Sequence, residues 1–488
     1  MLGWAASGGM ALTGWADGAP VASPAPAFGL LSAVAAELAS VTGATGVEVR
    51  ADPGELLAGR AALAGFRRRG RVSAGGSARL LRAADGWCAV NLSRGDDVEA
   101  VPAIIGLLGE AGVAGGGGLT GAGHGAGHGA GAGAEGVWGA LEAAALGTRA
   151  ETLAGAAQLL GVPAGALPLG GLASGRAVSG VSGSAVSGSA VSGGWAPGRA
   201  SRIAAPSAGA RLAGAVVVDL SSMWAGPLCA RLLGLAGADV IKVETPGRPD
   251  GARAGERRFF DWLHRGHRSV VVDFRSESGQ RALGALLAVA DVVIEASRPR
   301  ALAQLGLAPE MVPHREGQVW LSITGYGRGD LAASELVAFG DDAAVAGGLV
   351  GWTGAGLGVD GGWSGGGGSG GGWSGGEPVF CADAIADPLT GVCGALAVAR
   401  SVANGGGELI DLSMRDVAAG FATAAAVDHG AHSVRLDGDD GAGAIVTCAA
   451  LGLEQAVLPP RPPALAGTAT EMGADTGAVL AWLGTGSA

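Results

Sequence analysis

Charged residues, lysine and tyrosine are scarce in this sequence. Asp, Glu, Lys and Arg together make up 15% of the 488 residues, below the usual share of about 25%. Lys242 is the only lysine and Tyr326 the only tyrosine. The net charge of -11 argues against proteins that bind nucleic acids or anionic membranes through basic patches. No uninterrupted apolar run approaches the length of about 18 residues that a membrane-spanning helix needs. We therefore expect no membrane segment and no nucleic-acid partner.

A secretion signal, a disulfide framework and a metal motif are also missing. The N-terminus, MLGWAASGGMALTGWADG, lacks the basic stretch that opens a secretory leader. The cysteines are odd in number and scattered, so they form neither a disulfide framework nor a zinc spacing. They are Cys88, Cys229, Cys381, Cys393 and Cys448. We expect reduced thiols in a cytoplasmic protein without a metal site.

Glycine, in contrast, is abundant, with 95 residues, and much of it lies in tracts that divide the chain. Residues 114–136 predict a flexible insert, in which His124 and His128 are too isolated to suggest a metal site. Residues 174–212 predict a flexible linker. The glycine-rich residues 356–377 resemble a phosphate-binding loop in composition but lack the strand and helix that flank one. We therefore expect a disordered insertion there.

Residues 1–173 are predicted to form a smaller α+β domain. The spacing of Leu and Ala in 55–66 predicts a helix. The segment 79–93 predicts a β-hairpin, because an Asp-Gly turn separates two apolar runs. The segment 137–168 predicts two helices. No group of side chains in this part of the sequence has a catalytic pattern.

Residues 213–488 are predicted to form a large α/β domain. Short β-branched runs alternate there with helices of about a dozen residues, an order that produces βαβ units and a parallel sheet. Right-handed crossovers then give a doubly wound, Rossmann-like sheet, whose ligand lies beyond the carboxyl ends of the strands. The predicted strands are 214–221, 239–244, 269–274, 291–296 and 319–327.

The loops at that ligand edge lie in a locally basic part of an acidic chain. Residues 241–300 contain eleven basic and eight acidic side chains. This balance suits a phosphorylated small ligand, although an arginine-rich solvated surface has the same composition. The loops are 221–226, 245–253, 297–300 and 324–329.

Several motifs in the second part resemble family III CoA-transferases of the CaiB/BaiF type, in the family's order. VVVDLSSMWAGPLCARLLGLAGADVIKVETPGRPDGAR is followed by HRGHRSVVVDF, SITGYGRGD, ADPLTGVCGALAVA and GGGELIDLSMRDV. The resemblance covers about 213–488. It implies a Rossmann-like large domain, an acyl-CoA thioester as substrate, a carboxylic acid as acceptor, no permanently bound cofactor, and a homodimer.

The first part of the chain resembles the same family out of order. WAASGGMALTG at 4–14 is similar to a stretch that recurs as AVAGGLVGWTG at 344–354. LLRAADGWCAVNL resembles the family's small domain, which normally lies in the middle of the chain. Two arrangements fit this order: a permuted chain, or a truncated duplicate fused to a full copy.

The resemblance implies an aspartate nucleophile, and the matching residue is Asp387 in ADPLTG. In the family, this carboxylate attacks the acyl-CoA thioester and then carries CoA as an aspartyl thioester, which splits one exchange into easier steps. Without the resemblance, Asp387 followed by Pro388 is typical of an ordinary helix N-cap with Pro at the first helical position. The two roles are compatible, since a helix N-terminus favours an ionised carboxylate. Asp383 is the weaker candidate.

The resemblance also implies a set of CoA contacts. His267 stands where the family usually has a lysine, and Gln304 stands at a basic position, so two cationic contacts are missing. The residues implied to contact CoA are Ser222, Met223, Trp224, Ala225, Thr245, His264, His267, Ala296, Ser297, Arg298, Thr324, Gly325, Tyr326 and Gly327.

Two alternatives to a CoA-transferase remain open. The 2-methylacyl-CoA racemases of the same family pair the aspartate with a histidine, and here Asp341 replaces that histidine. A second carboxylate serves as a base only if its pKa is raised. A non-catalytic CoA-binding subunit would explain the altered contacts, but the presence of Asp387 favours an enzyme.

Overall fold

The computed structural model of the chain describes residues 1–23, 25–114, 134–168, 198–353, 376–424, 432–437 and 443–484. Its helices are α1 (Leu2–Ala6), α2 (Ala27–Thr45), α3 (Pro53–Ala64), α4 (Gly95–Glu99), α5 (Val101–Ala114), α6 (Ala134–Leu146), α7 (Ala150–Leu159), α8 (Ala225–Leu235), α9 (Arg257–His264), α10 (Glu277–Val289), α11 (Arg300–Ala303), α12 (Leu331–Glu335), α13 (Gly340–Ala346), α14 (Ala386–Ala403), α15 (Met414–Ala422) and α16 (Thr476–Trp482). Its strands are β1 (Ala78–Arg82), β2 (Trp87–Asn91), β3 (Ala164–Ala166), β4 (Arg199–Arg202), β5 (Val216–Asp219), β6 (Asp239–Glu244), β7 (Arg268–Val271), β8 (Val292–Glu295), β9 (Val319–Thr324), β10 (Gly351–Thr353), β11 (Glu377–Val379), β12 (Glu408–Ser413), β13 (His432–Asp437), β14 (Gly443–Cys448) and β15 (Leu453–Ala456).

Most of the two predicted glycine-rich insertions, 114–136 and 356–377, lies outside the described residues. The same holds for His124, His128 and the predicted linker as far as residue 197.

Seven of the described strands form the central sheet, in the order β4-β12-β9-β8-β5-β6-β7. The strands from β12 to β7 pair in parallel, and β4 adds to β12 in antiparallel orientation. Helix α8 connects β5 to β6, and α10 connects β7 to β8. The predicted α/β class with a large parallel sheet is therefore confirmed.

Successive residues of the central strands face different hydrophobic cores. Val217 and Val292 belong to the core that includes α8 and α14. Their neighbours Val218 and Val293 belong to a second core, which includes α10. Because side chains alternate along a strand, helices cover both faces, as in a doubly wound sheet.

The order of the strands reverses beside β5. The chain runs outward from β5 through β6 to β7, and then returns to β8 on the other side of β5. Ligands of such sheets bind beyond the carboxyl ends of the strands at this switch point. The loops after β5 (220–224) and after β8 (296–298) therefore mark the expected binding edge.

Residues 199–202 form the edge strand β4, which differs from the flexible linker predicted for 174–212. This strand pairs with β12, from Arg199 opposite Asp411 to Arg202 opposite Glu408. All four of its residues are exposed. The strand has no apolar pattern and is held by its backbone pairing with β12. Its own composition therefore does not predict a strand.

Residues 78–166 form a smaller unit around the antiparallel sheet β1-β2-β3. Arg82 lies opposite Trp87 in the first hairpin, so the hairpin predicted for 79–93 is confirmed. The two helices predicted over 137–168 are α6 and α7, which place Leu141 and Leu153 in the core of this unit.

Helices α1, α2 and α3 pack with the helices of the central sheet. Leu38 of α2 and Leu57 of α3 share one core with Leu389 of α14. This grouping differs from the predicted small domain over 1–173, because the packing sets 78–166 apart from the three N-terminal helices. The prediction grouped residues 1–173 because they are contiguous in sequence. In the structure, the apolar face of α2 packs against α14 instead.

Among the described residues, α2 is the one helix long and apolar enough to cross a membrane by length and composition. Buried core helices meet the same criterion. Leu31, Val34 and Leu38 of α2 are packed in the main core, which accounts for its apolar composition.

Two smaller antiparallel sheets, β10-β11 and β13-β14-β15, accompany the central sheet in the described part of the chain. The five cysteines are all buried, and none of them is joined in a disulfide.

Candidate active site

Asp387 lies in the first turn of α14. The helix begins at Ala386 with Ile385 as its N-cap, and no side chain caps it. The N-cap role considered from the sequence is therefore wrong, because Ile385 already has helical dihedral angles (φ -55°, ψ -30°) and the helix starts earlier. A carboxylate in the first turn still interacts favourably with the helix dipole.

Two further helix N-termini face the carboxylate of Asp387. The N–H groups of Ala225, the first residue of α8, and Gly340, the first residue of α13, hydrogen-bond to it and lower its pKa. A Cβ atom on Gly340 would lie 2.3 Å from Oδ2 of Asp387 and 2.2 Å from the carbonyl oxygen of Ala384. Only glycine permits this approach. Since α8 directly follows the loop after β5, Asp387 lies at the switch point of the sheet.

Two other carboxylates, Asp341 and Asp383, lie near Asp387 and interact with it. They are 7% and 0% exposed, whereas Asp387 remains partly exposed. The Nη1 atom of Arg60 lies 2.9 Å from Oδ1 of Asp383. Of the three carboxylates, Asp387 is thus the one that a substrate can reach.

The three carboxylates share the charge of one guanidinium. Burial raises the pKa of Asp387 to about 7; Arg60 opposes this increase and Asp383 adds to it. Burial also raises the pKa of Asp341 to about 7, with a contribution from Asp383. Burial raises the pKa of Asp383 against the attraction of Arg60. The cluster therefore exchanges protons near neutral pH as a coupled set.

The backbone before α14 adopts uncommon conformations. Ala382 and Ala384 have φ angles of 57° and 41°, and Met223 in the loop after β5 has a φ of 73°. Such angles are rare outside glycine and cluster at functional sites. Thr13 Oγ1 accepts a hydrogen bond from the N–H of Ala382 at 2.9 Å. Asp341 Oδ1 accepts one from the N–H of Ala384 at 3.1 Å, so side chains from two other elements hold this turn.

A buried ion cluster fixes the loop that leads into α8. The ammonium group of Lys242 lies 2.9 Å from Oδ2 of Asp250 and 3.6 Å from Oδ2 of Asp219. It also donates a hydrogen bond to the carbonyl oxygen of Ser221. Asp250 accepts a hydrogen bond from the N–H of Met223 at 2.9 Å. These contacts hold the first N–H group of α8 in place.

Most residues expected to contact CoA lie at the carboxyl edge of the central sheet. Ser222, Met223 and Ala296 are exposed there. Trp224 is only 2% exposed, and its ring packs edge-on against Phe259. The structure places Ser222–Ala225 after β5, Thr245 after β6, Ala296, Ser297 and Arg298 after β8, Thr324 at the end of β9, and Gly325, Tyr326 and Gly327 just beyond it.

His264 and His267 lie in the interior, and His267 lies away from that edge. They are 3% and 6% exposed, and His267 directly precedes β7, at the amino end of that strand. Burial lowers the pKa of both imidazoles, to about 3 for His267, and Lys242 lowers both further. Both imidazoles are therefore neutral at physiological pH, and His267 does not replace a cation at the ligand edge.

Tyr326 connects the carboxyl edge to the smaller unit. Its hydroxyl donates a hydrogen bond to the carbonyl oxygen of Ala164 in β3 at 3.0 Å. Asn91 of β2 donates to Asp342 of α13 at 3.4 Å. These contacts hold the smaller unit against α13, whose first N–H faces the candidate nucleophile.

A groove of about 300 Å³ opens beyond β6 and β7, beside Thr245. Arg248 and Arg275 line it from the loops that follow these two strands. Asp273 lines the groove as well, and the two guanidinium groups suit a phosphate ligand.

The sequence comparisons agree with this arrangement. Residues 212–448 match the family described as CoA-transferase family III. This stretch, just under half of the chain, is therefore similar to CoA-transferase family III. The succinyl-CoA:glutarate CoA-transferase of Mus musculus is 35% identical over 128 residues, which are 24% of this chain and 29% of the relative. The succinate–glutarate CoA-transferase of Agrobacterium fabrum is 30% identical over 228 residues, 42% of this chain and 51% of the relative.

Solved structures match part of the chain. A CaiB/BaiF family protein from Brucella suis is 29% identical, with a TM-score of 0.36, over 44% of this chain and 55% of that protein. The chain spans between 28% and 51% of the length of the curated relatives described by name as CoA-transferases.

Arg60 is the site residue that the sequence did not reveal. It lies in α3, outside the matched family III region. Residues 55–66 have an ordinary helical pattern, and the available signal is that Arg60 is the only charged residue from 56 to 66. A single charge in an apolar run is compatible with a solvated surface position, so this signal alone assigns no role.

Proposed function

We propose that this chain transfers CoA from an acyl-CoA to a carboxylic acid, with Asp387 as the nucleophile. The observation that carries this proposal is the position of Asp387, a partly exposed residue, whose carboxylate accepts hydrogen bonds from the N-termini of α8 and α13. The family III match and the names of the relatives support the class of reaction.

The proposed reaction relays CoA through the enzyme. The carboxylate of Asp387 attacks the thioester carbonyl, forms an acyl–aspartyl anhydride and expels the CoA thiolate. The thiolate attacks the aspartyl carbonyl, which releases the first acid as a carboxylate and leaves an aspartyl–CoA thioester. The acceptor carboxylate attacks this thioester and expels the thiolate again. The thiolate then attacks the acceptor carbonyl of the second anhydride and frees Asp387, so no net proton is consumed.

The surroundings of Asp387 suit this role. Burial raises the pKa of Asp387 to about 7, so its carboxylate is a stronger base than an ordinary aspartate. The N–H groups of Ala225 and Gly340 hydrogen-bond to this anion. Fixed donors of this kind also stabilise the negative charge that develops on a carbonyl oxygen during acyl transfer.

The basic groove beside Thr245 supports CoA as the ligand. Arg248 and Arg275 line this groove at the carboxyl edge of the sheet, and Arg298 lies after β8 at the same edge. A guanidinium group can donate two parallel hydrogen bonds to the oxygens of one phosphate. We therefore assign the phosphates of CoA to this edge as part of the proposal.

The placement of Asp341 supports transfer over racemisation. A two-base racemase needs both bases exposed to the substrate carbon. Asp341 is 7% exposed, and its Oδ1 atom accepts a hydrogen bond from the N–H of Ala384. The turn that leads to Asp387 therefore covers the carboxylate of Asp341, which is not exposed as a second base would need to be.

Mass spectrometry tests the proposal directly. The protein is incubated with a panel of acyl-CoAs, quenched and digested, and the peptide that contains Asp387 is examined for the mass of bound CoA. We expect an adduct on this peptide in the wild-type protein and none in Asp387→Asn. Absence of both an adduct and CoA transfer for every acyl-CoA and acid in the panel would overturn the proposal.

The cytoplasmic location and the homodimer expected from the sequence stay predictions. Fractionation of the source cells tests the first, and light scattering of the purified protein tests the second. A single-chain mass in solution would contradict the homodimer.

A further inference from the structure

The N-terminal helices repeat the order of the elements that carry the candidate site. Helices α1, α2 and α3 follow one another as α13, α14 and α15 do. Residues 25–61 align without gaps to 386–422, a separation of 361 positions (386 minus 25). Residues 2–13 align to 342–353, a separation of 340 positions (342 minus 2). Of the two arrangements considered from the sequence, this repetition favours a duplication over a permuted chain.

The third helix of each repeat is capped in the same way. Asp52 accepts a hydrogen bond from the N–H of Glu55 at 3.1 Å. Ser413 accepts one from the N–H of Asp416 at 3.2 Å. Both members of the second pair lie 361 positions after their counterparts. Equivalent residues thus start the helix in both repeats.

The turn after the first helix of each repeat packs against the start of the third. A Cβ atom on Gly54 would lie 3.2 Å from the carbonyl oxygen of Ser7. A Cβ atom on Gly347 would lie 2.8 Å from the carbonyl oxygen of Arg415. Ser7 corresponds to Gly347, and Gly54 to Arg415. The repeats therefore share tertiary contacts as well as the order of their elements.

The two repeats pack against each other through equivalent helices. Helix α2 packs along α14, α3 contacts α14, and α15 contacts α2. Reciprocal contacts of this kind define a two-fold interface between two copies of one unit. In this chain, both copies belong to the same polypeptide.

The first repeat lacks the nucleophile. Pro26 occupies the position equivalent to Asp387. Residues 47–52, which correspond to β12, form no strand in the described structure. Two side chains of this repeat nevertheless reach the site of the other. Thr13 accepts a hydrogen bond from the N–H of Ala382, and Arg60, whose counterpart is Phe421, pairs with Asp383.

Arg60 reaches from α3 to the turn that precedes α14. Its Nη1 atom lies 2.9 Å from Oδ1 of Asp383, and the two side chains are 26% and 1% exposed. Its guanidinium carbon lies 5.3 Å from the ring centroids of Phe66 and Trp224, and 5.7 Å from that of Phe259. Aromatic faces attract the guanidinium group and restrict its orientation.

We propose that residues 2–13 and 25–61 are a catalytically silent copy of 342–353 and 386–422, and that Arg60 of this copy is a positioning residue for Asp387. The inference rests on the proposed function and adds a residue from outside the family III region to the same site. Arg60 pairs with the buried Asp383 and thereby holds the turn and the charge beside the nucleophile.

The charges around Asp387 determine the expected effect. It is faced by Arg60 from α3, Asp383 from the preceding turn and Asp341 from α13. Burial is the main cause of its raised pKa, which Arg60 lowers and Asp383 raises. An opposite charge at this range shifts a carboxyl pKa by about 1 to 3 units. Loss of Arg60 therefore raises the pKa of Asp387 and leaves less of it ionised at neutral pH.

Titration of the carboxyl groups tests this role without relying on turnover. Protein labelled with ¹³C at the aspartate carboxyl carbons is titrated by NMR, and the Asp387 resonance is assigned by its absence in Asp387→Asn. The variants are Arg60→Met, Arg60→Lys, and Arg67→Met as an exposed control. Arg60→Met leaves the buried carboxylate of Asp383 unpaired, which by itself could disturb the fold. A second comparison avoids this: Asp383→Asn against the double variant Asp383→Asn/Arg60→Met. The pH profile of CoA transfer is recorded for each protein.

We expect Arg60→Met to move the Asp387 midpoint and the acidic limb of the profile upward by about 1 to 3 pH units. Arg60→Lys restores most of the shift, and Arg67→Met causes none. In the Asp383→Asn pair, the variant without Arg60 titrates at the higher pH. Equal midpoints within that pair would overturn the role of Arg60. A different outcome is that the midpoints differ between the variants as expected but the wild-type protein transfers no CoA. That result would overturn the proposed function and leave the effect of Arg60 on Asp387 intact.

Discussion

The ammonium group of Lys242, the single lysine of the chain, lies 2.9 Å from a carboxylate oxygen of Asp250 in the protein interior. Both side chains are at most 2% exposed, and Asp219 lies 3.6 Å from the same ammonium group. Asp250 in turn accepts the N–H of Met223. The cluster joins β6 to the loop before α8, and so a buried charge network orients one of the N–H groups that face Asp387.

Replacing Lys242 with Met should therefore destabilise the fold. The change leaves Asp219 and Asp250 buried without a cation, and breaking a buried ion pair in this way costs about 3–5 kcal/mol. The free energy of unfolding in urea measures the loss. Arg268→Met is the matched control, because Arg268 pairs with Asp239 at the surface and such pairs contribute about 1 kcal/mol or less. Equal losses in the two variants would contradict a stabilising role for the Lys242 cluster.

Asp387→Asn should be folded and inactive. An amide cannot form the anhydride, and loss of a nucleophile lowers turnover by about a thousandfold or more. Asp387 does not cap α14, so no cap is lost. Because burial raises its pKa to about 7, the ionised form costs stability, and the Asn variant should be more stable than wild type at pH 8. Thermal unfolding and a CoA-transfer assay check the two expectations. Turnover close to wild type would remove Asp387 from the mechanism and leave Asp383 and Asp341 to be tested.

The sequence predicted the central sheet because its strands combine β-branched composition with regular spacing. Val217 and Val218 belong to runs that are apolar at every position, as expected for a sheet covered on both faces. Strand β4 has no such pattern, since Arg199 and Arg202 are exposed and the strand depends on its partner. The packing of α2 against α14 was equally hidden, because composition indicates an apolar helix without naming what covers it.

The candidate site was predictable only in part. Asp387 was identified by resemblance. It lies in the first turn of α14 because the helix begins at Ala386, two residues earlier than it would if Asp387 were the N-cap. The N–H of Gly340 and the guanidinium of Arg60 come from distant segments, so nothing local to them indicates a shared site. For His267, the sequence motif suggested a ligand contact that the structure does not show. The residue lies at the amino end of β7, and burial keeps its imidazole neutral.

Asp341→Asn should change how stability depends on pH. Burial raises the pKa of Asp341 to about 7, from an ordinary value of 3.8. Between these values the folded protein binds more protons than the unfolded chain, so this group makes stability fall as the pH rises from about 4 to 7. The Asn variant lacks this contribution, and its advantage over wild type should grow from pH 4 to pH 8. Urea unfolding at several pH values measures the difference. A constant difference across this range would show that Asp341 titrates normally.

Gly340→Ala should impair catalysis more than stability. The added Cβ atom would lie 2.3 Å from Oδ2 of Asp387 and 2.2 Å from the carbonyl oxygen of Ala384, so the carboxylate and its turn must move. A displacement of about 1 Å at a reacting group lowers turnover by about a hundredfold.

The matched control for this variant is Gly284→Ala in α10. There the nearest atom to an added Cβ is 3.7 Å away, and alanine favours a helix by about 1 kcal/mol over glycine. The turnover number for CoA transfer and the melting temperature are measured for both variants. We expect Gly284→Ala to transfer CoA at the wild-type rate with an equal or higher melting temperature, and Gly340→Ala to stay folded with a much reduced turnover number. If Gly340→Ala transfers CoA as fast as Gly284→Ala, the close approach of α13 to Asp387 has no part in the reaction.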